Sequence, residues 1–141
     1  MSITFNKYQQ FVEDLGKGVH NFTNTGTSAV TIALSNTAGD ADATKATLSQ
    51  ITQVSYTNLS TRVVAGITWE HTTGTAHMTA TDHVLTASGD VAAFQYVILY
   101  NDTPTSPADP LIGWYDYGSA VTLHSGETFT VDFATDILTV A

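Results

Sequence analysis

Residues Arg62–Ala80 read RVVAGITWEHTTGTAHMTA, and the apolar residues in them recur at every second position. Val63, Ala65, Ile67 and Trp69 share one face of an extended chain, and Arg62, Val64, Thr68 and Glu70 share the other. A period of two over this length is the pattern of a half-buried strand. Thr72–Thr73–Gly74–Thr75 then supplies a loop between two such runs, which predicts a hairpin. The register this implies sets Glu70 opposite His77 and Trp69 opposite Met78. The polar pair then lies on one face and the large apolar pair on the other, as a sheet buried on one side requires.

The same period continues outward. Ala29–Ser35 (AVTIALS) is short, apolar and β-branched, and Asn36–Ala43 (NTAGDADA) has the composition of a turn. Leu48–Tyr56 is ambiguous, and a strand is the expectation. Phe94–Tyr100 (FQYVILY) is apolar almost throughout and predicts a central strand buried on both faces. Asn101–Pro110 holds all three prolines and predicts an exposed loop, since proline removes donors from a ladder. Further strands are expected at Leu111–Tyr117, Ala120–Leu123, Thr128–Phe133 and Ile137–Val140. In TFTVDF, Phe129, Val131 and Phe133 face one way and Thr128, Thr130 and Asp132 the other. Seven to nine short strands separated by turns predict an all-β, antiparallel β-sandwich or barrel-like domain.

One helix breaks the pattern. Phe5–Leu15 places Tyr8, Phe11, Val12 and Leu15 at helical spacing with Phe5 behind them, Asn6 is available as a cap, and Gly16 and Gly18 stop the run. Glu13 and Asp14 fall on the far side. The chain therefore divides into a short N-terminal helical segment, 1–18, and a single β domain, 19–141. The helix either covers an edge of the sheet or serves as an arm that docks on a neighbouring subunit.

Composition narrows the function. Thirteen Asp and Glu against four Lys and Arg leave a net charge of −9. Nucleic-acid binding through phosphates needs a basic patch, and anionic membrane surfaces attract basic segments, so neither partner is expected. The N-terminus lacks the basic and apolar regions of a signal peptide, and no run of about 20 apolar residues is present to span a membrane. Without cysteine there is no disulfide framework, thiolate nucleophile or cysteine-based zinc site. Synthesis in a reducing cytoplasm is the expectation.

Candidate chemistry is sparse. His71, His77 and His83 are spaced by six and cannot align on one short strand as metal ligands. Gly39–Asp40–Ala41–Asp42 lacks the spacing and closing Glu of a calcium loop. No Gly-x-Ser-x-Gly elbow or phosphate-binding loop occurs. Asp116 and Asp132 lie within or beside apolar strands and are the one pair of carboxylates to test for hydrolysis of a cell-wall polymer. The expectation is no catalytic residue, metal or cofactor. Trp114, Tyr115 and Tyr117 cluster in one stretch; they either pack in the core or meet a partner, as Tyr and Trp often do at interfaces. With Phe5, Tyr8 and Phe11 they make up the candidate interface residues.

Three stretches are familiar as a set: FNKYQQFVEDLGKGVHNF (5–22), VTIALSNT (30–37) and FQYVILYNDTPTSPADPLIGWYDYGSAVTLHSGETFTVDF (94–133). The most specific part is Tyr96–Asp102, Leu111–Ser119 and Glu127–Phe133, while Ala38–Gly89 matches loosely. Together they resemble a family of small structural proteins of tailed bacteriophages. The resemblance implies a virion protein with no catalytic residues. The leading expectation is a decoration or cement protein on the outer surface of the phage head, bound to the major capsid protein and self-associated as a homotrimer or other symmetric oligomer. The alternative is a tail- or fibre-associated module binding a host receptor or glycan.

Overall fold

The computed structural model describes residues 3–22 and 30–141. It is mostly β, with antiparallel sheets and one α-helix. The described elements, in chain order, are β1 (Phe5–Lys7), α1 (Gln9–Gly16), β2 (Val30–Ser35), two 3₁₀ turns (Ala38–Asp40 and Leu48–Gln50), β3 (Thr68–Thr72), β4 (Thr75–Thr79), β5 (His83–Thr86), β6 (Phe94–Asn101), β7 (Leu111–Val121), β8 (Thr128–Val131) and β9 (Leu138–Val140). Ala29, expected to open β2, lies outside the described residues.

Four strands make the main sheet in the order β1-β7-β6-β2. Strands β2 and β6 and the first half of β7 are buried on both faces because both faces are covered there. Val30, Ile32 and Leu34 of β2, Val97 and Leu99 of β6, and Ile112 and Tyr115 of β7 share one core with Met78, Leu85, Val131 and Leu138. Those last four come from a three-stranded sheet, β3-β4-β9, and a two-stranded one, β5-β8, which together form the opposing layer. On the other face, Ala33, Tyr96, Ile98, Tyr100, Leu111 and Trp114 pack with Tyr8, Ile51 and Leu48. The excursion between β2 and β3, with its two 3₁₀ turns, provides that cover. The expected strand at Leu48–Tyr56 is therefore replaced: Thr47 and Gln50 form a capping box that winds Leu48–Gln50 into a 3₁₀ turn, and Ile51 plugs the second core.

The hairpin register is as expected: Glu70 pairs with His77 and Trp69 with Met78. The turn is tighter than a four-residue loop, because Thr73 and Gly74 alone bridge the strands, with φ of 49° and 84°. Left-handed backbone at both central positions matches the twist of the flanking strands. The upstream half of the stretch departs from strict alternation. Val64 is fully buried and Val63 is exposed, opposite to the expected sides, although Trp69 packs on the same core as Val64. Gly66, at φ 72°, reverses the phase between them. Val63 and Val64 instead lie beside β2, where Val64 N–H donates to Val30 O at 3.0 Å.

The N-terminal segment also departs from expectation. Phe5 is in a strand, with Phe5 opposite Tyr115 and Asn6 opposite Trp114. The helix begins only at Gln9, because Tyr8 N–H donates to Ile112 O at 3.1 Å and holds the chain extended to that point. This sets the rotation of α1. Phe11 and Asp14 are buried, whereas Val12 is 52% exposed, so Val12 and Asp14 have exchanged the sides that helical spacing assigned them. Residues 5–16 are thus part of the main sheet and its cover, not a detached arm.

Candidate functional site

The six expected interface residues pack inside the chain, divided between the two faces of the main sheet. Tyr8 and Trp114 stack with ring centroids 4.7 Å apart on one face of the main sheet. The Tyr8 hydroxyl donates to Asp40 O at 3.1 Å, and burial raises its pKa, with Asp40 and Asp42 adding to the effect. Phe5 meets Tyr115 at 5.1 Å on the other face. Tyr115 also approaches Phe133 at 6.4 Å, and Tyr117 packs edge-on against Phe129 at 4.8 Å. Burial pushes the Tyr117 phenol up to about 12. Phe11 lies 5.0 Å from the His20 ring.

Tyr8, Phe11, Trp114 and Tyr115 are buried, and Phe5 and Tyr117 are half-buried. For Tyr8, Phe11, Trp114 and Tyr115 the expectation of a docking surface is corrected by their burial. Alternation does separate Trp114 from Tyr115 and Tyr117, but each face finds a partner within the chain. A large aromatic side chain gains a few kcal/mol by leaving water, and here the N-terminal segment supplies the apolar surface that it packs against.

The other candidate groups bond to backbone groups or to polar side chains nearby. Asp116 Oδ1 accepts Gln95 Nε2 at 2.9 Å and Gly118 N–H at 2.7 Å. Asp132 Oδ1 accepts Ala134 N–H at 2.7 Å, beside a left-handed Ala134 with φ of 53°. His71 Nδ1 accepts from Gly74 N–H at 3.3 Å, His77 meets Asp136 at 3.1 Å and His83 Nε2 meets Thr61 O at 2.8 Å. The three histidines therefore have three separate partners. Among the described residues no three His, Asp or Glu side chains gather as metal ligands. In the 36–43 turn, Asp42 Oδ1 accepts Thr44 N–H at 2.9 Å, which lowers its pKa. Asp40 is 1% exposed, accepts Thr52 N–H at 2.9 Å and the Ser35 hydroxyl, and lies 3.4 Å from Lys45 Nζ.

Two buried polar groups escaped the sequence reading. Asp14 and His20 are 3% and 8% exposed. Asp14 Oδ1 accepts Gln10 Nε2 at 3.0 Å, and Asn101 Nδ2 lies 3.1 Å from His20 Nδ1. Asp14 Oδ2 and His20 Nε2 are buried without a hydrogen-bond partner. Burial lowers the His20 pKa to about 4 against an opposing pull from Asp14. The one available signal was the sequence of turn and return at Gly16–His20, where Val19 N–H donates to Asp14 O. Shallow clefts flank α1 here, one of about 360 Å³ beside Ser106–Pro107 and one of about 410 Å³ beside Trp69 and Val140.

No family model, curated protein or solved structure matches this chain. Its function must be read from its own chemistry. The aromatic residues are occupied with packing, and the carboxylates and histidines described above bond to backbone groups or to neighbouring polar side chains. What remains on the surface is hydroxyl-rich: Thr68, Thr72, Thr86, Thr128 and Thr130 are all exposed.

Proposed function

We propose that this chain is a structural protein of a bacteriophage particle, and that it acts as a decoration or cement protein on the outer face of the head. The observation carrying this reading is how its polar chemistry is used. Asp116 and Asp132, the pair singled out for hydrolysis, each accept the backbone N–H two residues on, Asp116 within β7 and Asp132 just beyond β8, and the strands present threonines. Such a domain acts through its shape and the surface it covers. Bridging neighbouring copies of the major capsid protein buries extra area at their junctions, at about 25 cal/mol per Å². Symmetric repetition, with the protein itself as a homotrimer, multiplies weak contacts into firm attachment.

The resemblance of residues 5–22, 30–37 and 94–133 to small structural proteins of tailed phages supports the same reading. A glycan-binding tail module would need an exposed aromatic platform, and Trp114 is 8% exposed. Copy number and position test the proposal. Hundreds of copies per particle, located on the head by electron microscopy of the intact virion, are expected. A handful at the tail would overturn the head assignment.

A further inference from the structure

All four basic side chains, Lys7, Lys17, Lys45 and Arg62, lie in the first 62 residues. Four of the thirteen carboxylates, Glu13, Asp14, Asp40 and Asp42, accompany them, so that portion is neutral. The whole net charge of −9 belongs to residues 63–141, which contain no Lys or Arg. Three of the four cations are also engaged within the fold. Lys17 pairs with Glu13, Lys45 bonds Gln50 O at 2.7 Å, and the Arg62 guanidinium lies 3.6 Å from the Tyr56 ring centroid.

Within the acidic part, β5 and β8 form a ladder with one face turned to solvent. Val84 pairs with Thr130 and Thr86 with Thr128. All four are exposed, Val84 at 48%, while Leu85 and Val131 point into the core. Carboxylates stand at both ends of the ladder. Asp82 and Asp132 flank one end, and each accepts a backbone N–H through a single oxygen, Oδ1. Glu127 and Asp90 stand at the other end, where Asp90 meets His124 at 2.8 Å.

We infer that the outer face of β5 and β8 docks a protein surface rich in lysine or arginine. The inference rests on the reading of the chain as a component of a larger assembly, and it names the docking face and the chemistry of the partner. The centre of the face is hydroxyl and aliphatic, so it carries no formal charge to desolvate and its threonines can hydrogen-bond a partner. Its rim is acidic, an arrangement that steers and registers a basic partner. Pairing of this face with the same face of a second copy is opposed, because it would set carboxylates against carboxylates.

The test uses the full chain labelled with ¹⁵N and hexalysine as the probe. At low salt, amide shifts are expected to concentrate in residues 82–90 and 124–132 and to vanish at high salt, as screening requires. Val84→Lys with Thr130→Lys should weaken binding about tenfold, since two like charges now face the probe. Thr86→Lys with Thr128→Lys is the second pair if the first perturbs the fold. Val12→Lys, on the exposed face of α1, should bind as the parent does. Shifts spread over the surface or centred on α1 or the β3–β4 hairpin would overturn the inference, as would undiminished binding by a folded double variant. A tail location in the particle would instead overturn the head assignment and leave this result standing.

Discussion

Gly113 and Phe5 are in such close contact that a Cβ on Gly113 would lie 2.3 Å from Phe5 Cζ, and 2.4 Å from Asn6 O. The contact occurs at a bulge in β7, where the register against β6 shifts between Leu99 and Tyr100. Lys7 pairs with Gly113 itself. The N-terminal strand can lie against β7 only because this residue has no side chain.

Gly113→Ala should therefore cost about 1–3 kcal/mol, the usual penalty of overpacking, with part of the loss borne by displacement of β1. The denaturation midpoint reads the stability. Hydrogen exchange of Asn6 and Tyr8 amides should accelerate more than that of β6 amides.

Deleting residues 1–18 should unfold the domain. A docking arm could be removed without harm, but this segment cannot, because Tyr8 and Phe11 are fully buried. Tyr8→Ala alone should cost roughly 3–5 kcal/mol, as for other large aromatic truncations in a core. Tyr8→Phe should cost about 1 kcal/mol, the net worth of its hydrogen bond to Asp40 O. Circular dichroism melts separate the three outcomes.

Asp40→Ala should destabilise by several kcal/mol. It would strand the Thr52 amide and the Ser35 hydroxyl and leave Lys45 without its carboxylate, and breaking a buried polar cluster from one side carries that penalty. Asp116→Ala and Asp132→Ala should each cost only about 1 kcal/mol, because each carboxylate is exposed and water can replace its bond to the backbone. Urea titration of the three variants gives the order.

His20 should make the fold acid-sensitive. Its folded pKa is lowered from 6.5 to about 4, so the unfolded chain takes up a proton more readily. The stability due to neutral His20 is complete above pH 6.5, falls as the pH drops towards 4, and then levels off. The loss is on the order of 3 kcal/mol, since each tenfold difference in proton affinity between the folded and unfolded chain is worth about 1.4 kcal/mol. Relative to the parent, His20→Gln should show a flatter melting temperature between pH 6.5 and 4. Parallel slopes in the two proteins would refute a titrating His20.

The hairpin was legible because everything it needs is local. Thr73–Gly74 turns the chain and the two-residue period does the rest, so Trp69 and Met78 meet as alternation says they should. Strand β6 was legible for a different reason: an unbroken apolar run has no solvent face to offer. The 3₁₀ turn at Leu48–Gln50 was hidden because LSQITQV spaces its apolar residues, Leu48, Ile51 and Val54, three apart, which matches neither the two-residue strand period nor a full helix stripe, and its capping box uses Thr47 and Gln50 in a way that period does not register. The candidate interface was misread for want of long-range information. Aromatic residues at 5–11 and 114–117 are each amphipathic alone, and nothing in either stretch announces that they close on each other across more than 100 residues.

The chain's own order of residues determined the β class, the turns, the hairpin pairing and the acidic charge, since each follows from backbone sterics, side-chain period or simple counting over a few neighbours. The tertiary structure decided which faces are inside. Gly66 inverts the phase of Val63 and Val64, the pairing of β1 with β7 rotates α1 to bury Asp14 in place of Val12, and the 36–52 excursion closes the second core over Trp114. Burial depends on the partner opposite, and these partners come from distant parts of the chain, where local periodicity carries no information.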